Sequence, residues 1–292
     1  MPPPDRSAER GFLSSVTGVQ RWKQIATISE PGNFAPGVVA RREGGFRIYW
    51  NAAGLGGIAS AISSDGLTWK PERGLRLANG GAGTADAIAS HPWVIALDSG
   101  YLMYYQGDAA ARTDGDRSGK EPEFRIFRAF SRDGLTFRRE GVVIDIGSST
   151  GFRQAAHGRI IRLDDGSYRM FFSANFIGKN GPADILGASS PDGRNWTMDT
   201  APILERGHDP TVLNVDDRIV LFTTFLRDNF IVMDSADGRN FTPVAWLDFY
   251  DPVGQRIEHF GDAEAMKLPD GRVVLIGSGK GSRGLGVFTR ED

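Results

Sequence analysis

Ser131-Arg132-Asp133-Gly134-Leu135-Thr136-Phe137 is one of four closely matched segments, and their recurrence decides the fold. The others are Ser64-Asp65-Gly66-Leu67-Thr68-Trp69, Ser190-Pro191-Asp192-Gly193-Arg194-Asn195-Trp196 and Ser235-Ala236-Asp237-Gly238-Arg239-Asn240-Phe241. Asp-Gly supplies the positive φ that a tight hairpin turn needs. The aromatic closing each segment is placed to pack between neighbouring sheets. Each segment therefore reads as a turn between two outer strands of a repeated unit.

A second hairpin recurs upstream of these turns: apolar strand, tight turn, apolar strand. It spans 38–49, 93–105, 160–172, 212–223 and 265–276. Its turns are Gly44-Gly45, Ser99-Gly100, Asp165-Gly166, Asp216-Asp217 and Asp270-Gly271. The units repeat every ~50 to 65 residues, which suits propeller blades carrying loop insertions. The fold expected is an all-β, five-bladed β-propeller of four-stranded blades. The fifth unit lacks an outermost strand after 284–290. Residues 20–28, with Trp22-Lys23 resembling Trp69-Lys70, look like the missing piece. A last blade closed by this N-terminal strand would remove exposed sheet edges. Residues 1–292 then form one domain, with 1–18 a flexible or wrapping arm and 108–123 a polar insertion.

Composition agrees and narrows the function. The chain has 38 glycines, 40% hydrophobic residues and a net charge of −2. That charge gives no electrostatic case for nucleic acid or an anionic membrane, so the partner expected is a small-molecule substrate. There are no cysteines, which excludes disulfides, thiolate nucleophiles and Cys-type zinc sites. No secretory signal and no long apolar run is visible, so the reading is a cytoplasmic protein.

The first strand of each blade lines the central channel. With the five hairpins aligned, one column holds Ala35, His91, His157, Asp209 and Asp262. The column two residues later holds Gly37, Trp93, Arg159, Thr211 and Glu264, on the same strand face. All four histidines fall near this mouth: His91 and His157 in the column, His208 beside Asp209, and His259 just before Asp262. Two chemistries fit. His91, His157, Asp209 and Asp262 could ligate Zn, Mn or Fe, rather than Ca, with an open position for substrate. Alternatively they act as general acids and bases without metal. A water-filled polar channel without chemistry would use the same residues. No organic cofactor is implied. His208, adjacent to Asp209, is expected on the opposite strand face, as a cleft residue rather than a ligand. Phe34, Phe152 and Phe260 lie on loops leading into the mouth, where aromatics can stack on a sugar ring. Arg153 and His259 share those loops, and Trp93 and Glu264 sit deeper in the channel, with Arg159 placed to pair with Glu264.

The Asp-Gly-x-x-aromatic turns resemble those of the five-bladed propeller glycosidases, the arabinanase, β-xylosidase and invertase-like superfamily. So do inner strands such as Asp209-Pro210-Thr211-Val212-Leu213. The resemblance runs from about residue 25 to the end. It implies carboxylates on the first three blades, acting as base or nucleophile, transition-state helper and general acid. In this sequence those positions are Ala35, His91 and His157, and the column's carboxylates lie on the fourth and fifth blades. The resemblance thus implies a glycosidase-like hydrolase of a carbohydrate or carbohydrate-like molecule with a remodelled His/Asp centre. The alternatives are a metal-dependent lyase, cyclase or isomerase acting on a non-sugar metabolite, and a non-catalytic sugar-binding propeller.

Overall fold

The computed structural model describes residues 16, 18–28, 33–109, 122–226, 229–279 and 284–291, without the side chains at 33 and 34. Most of the 1–18 arm, most of the 108–123 insertion and the side chain of Phe34 lie outside the described residues.

Strand β1 (Val19–Ile28) precedes the repeats. The first unit is β2 (Asn33–Ala40), β3 (Phe46–Ala52) and β4 (Gly57–Ser63), with the short β5 (Lys70–Pro71) and β6 (Leu77–Ala78) both on β4. The second is β7 (Ile88–Leu97), β8 (Gly100–Asp108), β9 (Phe124–Ser131) and β10 (Arg138–Ile144). The third is β11 (Phe152–Arg162), β12 (Tyr168–Phe176), β13 (Asp184–Ser190) and β14 (Thr197–Met198). Next come β15 (Gly207–Val215), β16 (Arg218–Phe225), β17 (Asn229–Ser235) and β18 (Thr242–Tyr250), with β19 (Arg256–Ile257) beside β18. The last is β20 (Gly261–Lys267), β21 (Val273–Ser278) and β22 (Leu285–Arg290). Each unit is an antiparallel meander. No helix among the described residues is long and apolar enough to cross a membrane.

β1 completes the last unit as the missing strand required. It runs antiparallel to β22, from Trp22 opposite Arg290 to Ile28 opposite Leu285. It also pairs in parallel with β18, from Val19 opposite Trp246 to Lys23 opposite Tyr250. The last two units are thereby one continuous sheet, which the repeat pattern does not foretell. Trp22 on this strand is buried and meets Phe222 edge-on at 6.1 Å.

The four outer turns share one hydrogen-bond design. In the first, Ser63 Oγ accepts from Gly66 N, and Asp65 Oδ1 accepts from the backbone of Leu67 and Thr68. Asp133, Asp192 and Asp237 repeat the arrangement. The glycines carry φ of +79°, +72°, +67° and +67°, which an L side chain tolerates poorly. Each later turn docks on the preceding unit. Tyr49 donates to Gly134 O, Tyr104 to Gly193 O and Arg169 to Gly238 O. The closing aromatics pack edge-on against that same unit, as Phe137 on Tyr49, Trp196 on Tyr104 and Phe241 on Phe171. The repeated turn is thus an inter-sheet latch as well as a turn.

The inner strands β2, β7, β11, β15 and β20 pack each against the next, and β20 returns to β2, closing a ring. Gly37 on β2 permits one of these approaches, since a Cβ there would collide with Pro92 O. This closed, all-β arrangement is a β-propeller, and the ring's axis is where the aligned columns meet.

Candidate active site

Every inner strand is broken at the same place. Register shifts fall between Phe34 and Gly37, Ser90 and Trp93, Ala156 and Arg159, His208 and Thr211, and Gly261 and Glu264. At each break one non-glycine residue adopts the left-handed conformation. These are Ala35 (φ 51°), His91 (48°), His157 (54°), Asp209 (52°) and Asp262 (49°), the aligned column itself. A left-handed L-residue costs about 1–2 kcal/mol, so five at equivalent positions hold strain that the surrounding ring must offset. The bulge re-aims the side chain out of the ladder.

Four of these side chains come together with His208. His157 Nδ1 lies 2.7 Å from Asp209 Oδ1, and His208 Nδ1 lies 2.9 Å from the same oxygen. Both are hydrogen-bond separations, so one buried carboxylate oxygen faces two imidazoles. His91 Nε2 lies 3.5 Å from Asp262 Oδ1. The His157 ring sits between the other two imidazoles, 4.4 Å from His91 and 4.6 Å from His208 between centroids. Ligating atoms of His91, His157 and Asp262 lie within 4.8 Å of one another, as do those of His157, His208 and Asp209. The four polar residues of the aligned column thus fall, with His208, into two overlapping groups that share His157, instead of one shell.

Burial drives His157 down to about 4, against the pull of the Asp209 carboxylate, so the ring is neutral at pH 7. Its Nδ1, facing a carboxylate and Ser173 Oγ at 3.3 Å, then carries the hydrogen, leaving the lone pair on Nε2. Burial alone would raise Asp209, but the imidazoles of His157 and His208 outweigh it and hold the carboxyl well below its usual range.

His208 does not turn away from Asp209. Strict alternation would put adjacent residues on opposite faces, but the left-handed turn at Asp209 breaks the alternation. Thr223 and Thr224 both donate to His208 O at 2.6 Å, which fixes the segment.

A cavity of about 840 Å³ opens over this cluster. His208, Asp209, His259, Phe260 and Asp262 line it, with Arg206, Asn175, Thr224 and Ser278. His91 and His157 are not among its lining residues. Phe260 is largely buried, stacked on Phe249 at 3.7 Å between centroids. Phe152 does not reach the cavity; it packs in the core against Phe172 and Phe176. Arg153, beside it on β11, is also outside the lining. Trp93 and Glu264 lie two residues past the bulges and line a separate depression of about 350 Å³. Arg159 and Glu264 are buried, 3.9 Å apart, with Val38 N donating to Glu264 at 3.0 Å. Burial pushes Glu264 up to about 8, opposed by Arg159. Trp93 donates to Ile160 O, a structural bond.

Sequence reasoning did not find Ser173, Asn175, Thr224 or Ser278. Ser173 is fully buried on β12 and accepts the Asp209 backbone N–H at 3.1 Å. Nothing in the run Phe171-Phe172-Ser173-Ala174 marks it.

No family model and no curated protein matches this sequence. Solved structures do match in fold. A family 117 glycoside hydrolase of Zobellia galactanivorans aligns at TM-score 0.68 and 18% identity, over 94% of this chain and 92% of that one. An α-L-arabinofuranosidase from Lactobacillus brevis aligns at 0.67 and 10%, over 91% and 94%. An endo-arabinase from Bacteroides thetaiotaomicron aligns at 0.64 and 13%, over 92% and 97%. The chain therefore shares, over nine-tenths of its length, the β-propeller fold of the arabinanase-type glycoside hydrolases.

Proposed function

We propose that the chain is a five-bladed propeller hydrolase acting on a carbohydrate or carbohydrate-like small molecule at the His/Asp ring. The observation that carries this is the left-handed column. Five strained, equivalent positions carry two imidazoles, two carboxylates and one methyl group. Strain retained at one ring of positions, two of which line the cavity, supports a reaction centre. Donors and acceptors spread around the cavity suit a polyhydroxylated ligand, and the glycoside hydrolase neighbours favour the same substrate class.

The roles follow from exposure. His208 is half-exposed in the cavity with Asp209 behind its Nδ1, so it is the proton-transfer group and Asp209 orients it. Asp262, about one-third exposed, is the carboxylate facing substrate. Two-carboxylate glycoside chemistry would use Asp209 and Asp262 as its pair. The second reading, a metal-dependent lyase, cyclase or isomerase, is favoured by the clustering of imidazoles with Asp262.

The test is turnover on arabinosides, xylosides and fructosides, in the wild type and in Asp209→Asn and Asp262→Asn. The proposal requires both variants to lose activity by at least about a hundredfold with unchanged circular dichroism. Near-normal turnover in either would remove that residue from the reaction.

A further inference from the structure

We propose that His91, His157 and Asp262 bind one divalent transition metal, of the zinc, manganese or iron(II) class, at the axis of the ring. The inference deepens the proposed function by supplying its electrophile, and rests on that reading only for the metal's role.

The geometry separates this set from the neighbouring one. Ligands at 2.0–2.1 Å around a tetrahedral ion stand about 3.4 Å apart. His91 Nε2 and Asp262 Oδ1 stand 3.5 Å apart, and a ligating atom of His157 lies within 4.8 Å of those of both residues. In the other grouping, Asp209 Oδ1 is 2.7 and 2.9 Å from the two Nδ1 atoms, shorter than the tetrahedral spacing and below the roughly 3.0 Å between neighbouring ligands of an octahedral ion. Those are hydrogen-bond separations.

The outer contacts point the same way. A metal-bound imidazole commonly gives its other nitrogen to a carboxylate or hydroxyl, which fixes the ring. His91 Nδ1 has Ser90 Oγ at 3.0 Å, and His157 Nδ1 has Asp209 at 2.7 Å and Ser173 at 3.3 Å. Nε2 is thereby the ligand atom of both rings. Two imidazoles with one carboxylate select a transition metal over calcium or magnesium, which prefer all-oxygen shells. Ala35, the fifth ring position, offers no ligand, so coordination positions remain for a substrate oxygen or water.

The test uses the metal alone. Protein purified without chelator is assayed for zinc, manganese and iron. Chelator-treated protein is then titrated with Zn(II) by calorimetry and with Co(II) by its visible d–d bands. The proposal expects one equivalent bound, with loss of stoichiometric binding in His91→Ala and in Asp262→Asn. Asp209→Asn should weaken affinity by about tenfold to a hundredfold, the usual effect of removing such an outer partner. His208→Ala should bind within about threefold of wild type, as a residue outside the shell. Circular dichroism checks each variant, and the two ligand variants stand in for one another if either fails to fold. No stoichiometric metal in the folded wild type overturns the inference. Binding that survives both His91→Ala and Asp262→Asn but is lost in His208→Ala overturns it as well. Turnover does not enter this test, so its failure is distinct from failure of the proposed hydrolase.

Discussion

Ser173→Ala probes the least conspicuous support of the site. Its Oγ is buried on β12 and accepts the Asp209 N–H at 3.1 Å, while lying 3.3 Å from His157 Nδ1. The bulge takes Asp209 out of the β15 ladder, so no strand carbonyl replaces this acceptor. A buried donor left unpaired costs about 1–3 kcal/mol, and the small cavity left by one hydroxyl adds little. We therefore expect a loss of about 2 kcal/mol. At 2–4 °C per kcal/mol for a domain of this order, Tm falls by ~4–8 °C. Urea unfolding and calorimetry measure it, with Ser64→Ala on an exposed turn as the control. A Ser173→Ala protein within about 0.3 kcal/mol of wild type, a shift expected of ordinary surface changes, would refute the claim that Ser173 holds the left-handed turn at Asp209.

Other outcomes test the frame. Trp22→Ala removes the buried anchor of β1 and should cost about 3–5 kcal/mol; a surface-sized effect would show that β1 does not close the ring. Hydrogen bonds to backbone lower the Asp65 carboxyl to about 2. Its contribution is therefore complete above the unfolded value near 4 and is lost as pH falls toward 2. Asp65→Ala should lower Tm at pH 7, and the gap to wild type should narrow between pH 4 and pH 2. A gap constant with pH would remove the charge from the turn's role.

Much of this was legible in the repeats because period and chemistry coincide. Asp-Gly turns set the register of each unit, and register puts Ala35, His91, His157, Asp209 and Asp262 in one column. The column's conformation was not legible. Alternation by two describes a regular strand, and a left-handed bulge at Asp209 suspends it, which is why His208 joins the cluster. Alternation by two put Trp93 and Glu264 on the face of the column, but the bulge intervenes and they line a separate depression. Phe152 sits at a strand start, where an aromatic serves core or mouth equally, and Phe172 and Phe176 draw it inward. Ser173 belongs to a middle strand, whose inward contacts depend on how neighbouring sheets pack. The parallel pairing of β1 with β18 is long-range and leaves no local pattern.

The central claim is that a polyhydroxylated ligand is held over the His/Asp ring. With only four histidines, all at this mouth, imidazole ¹H–¹⁵N correlation spectra report on it directly. Titration with arabinose, xylose, galactose, fructose, their uronates and their short oligosaccharides should shift His208 and His259, which line the cavity. His91 and His157, outside the lining, should move less. A panel in which no sugar perturbs any of the four resonances would contradict the account.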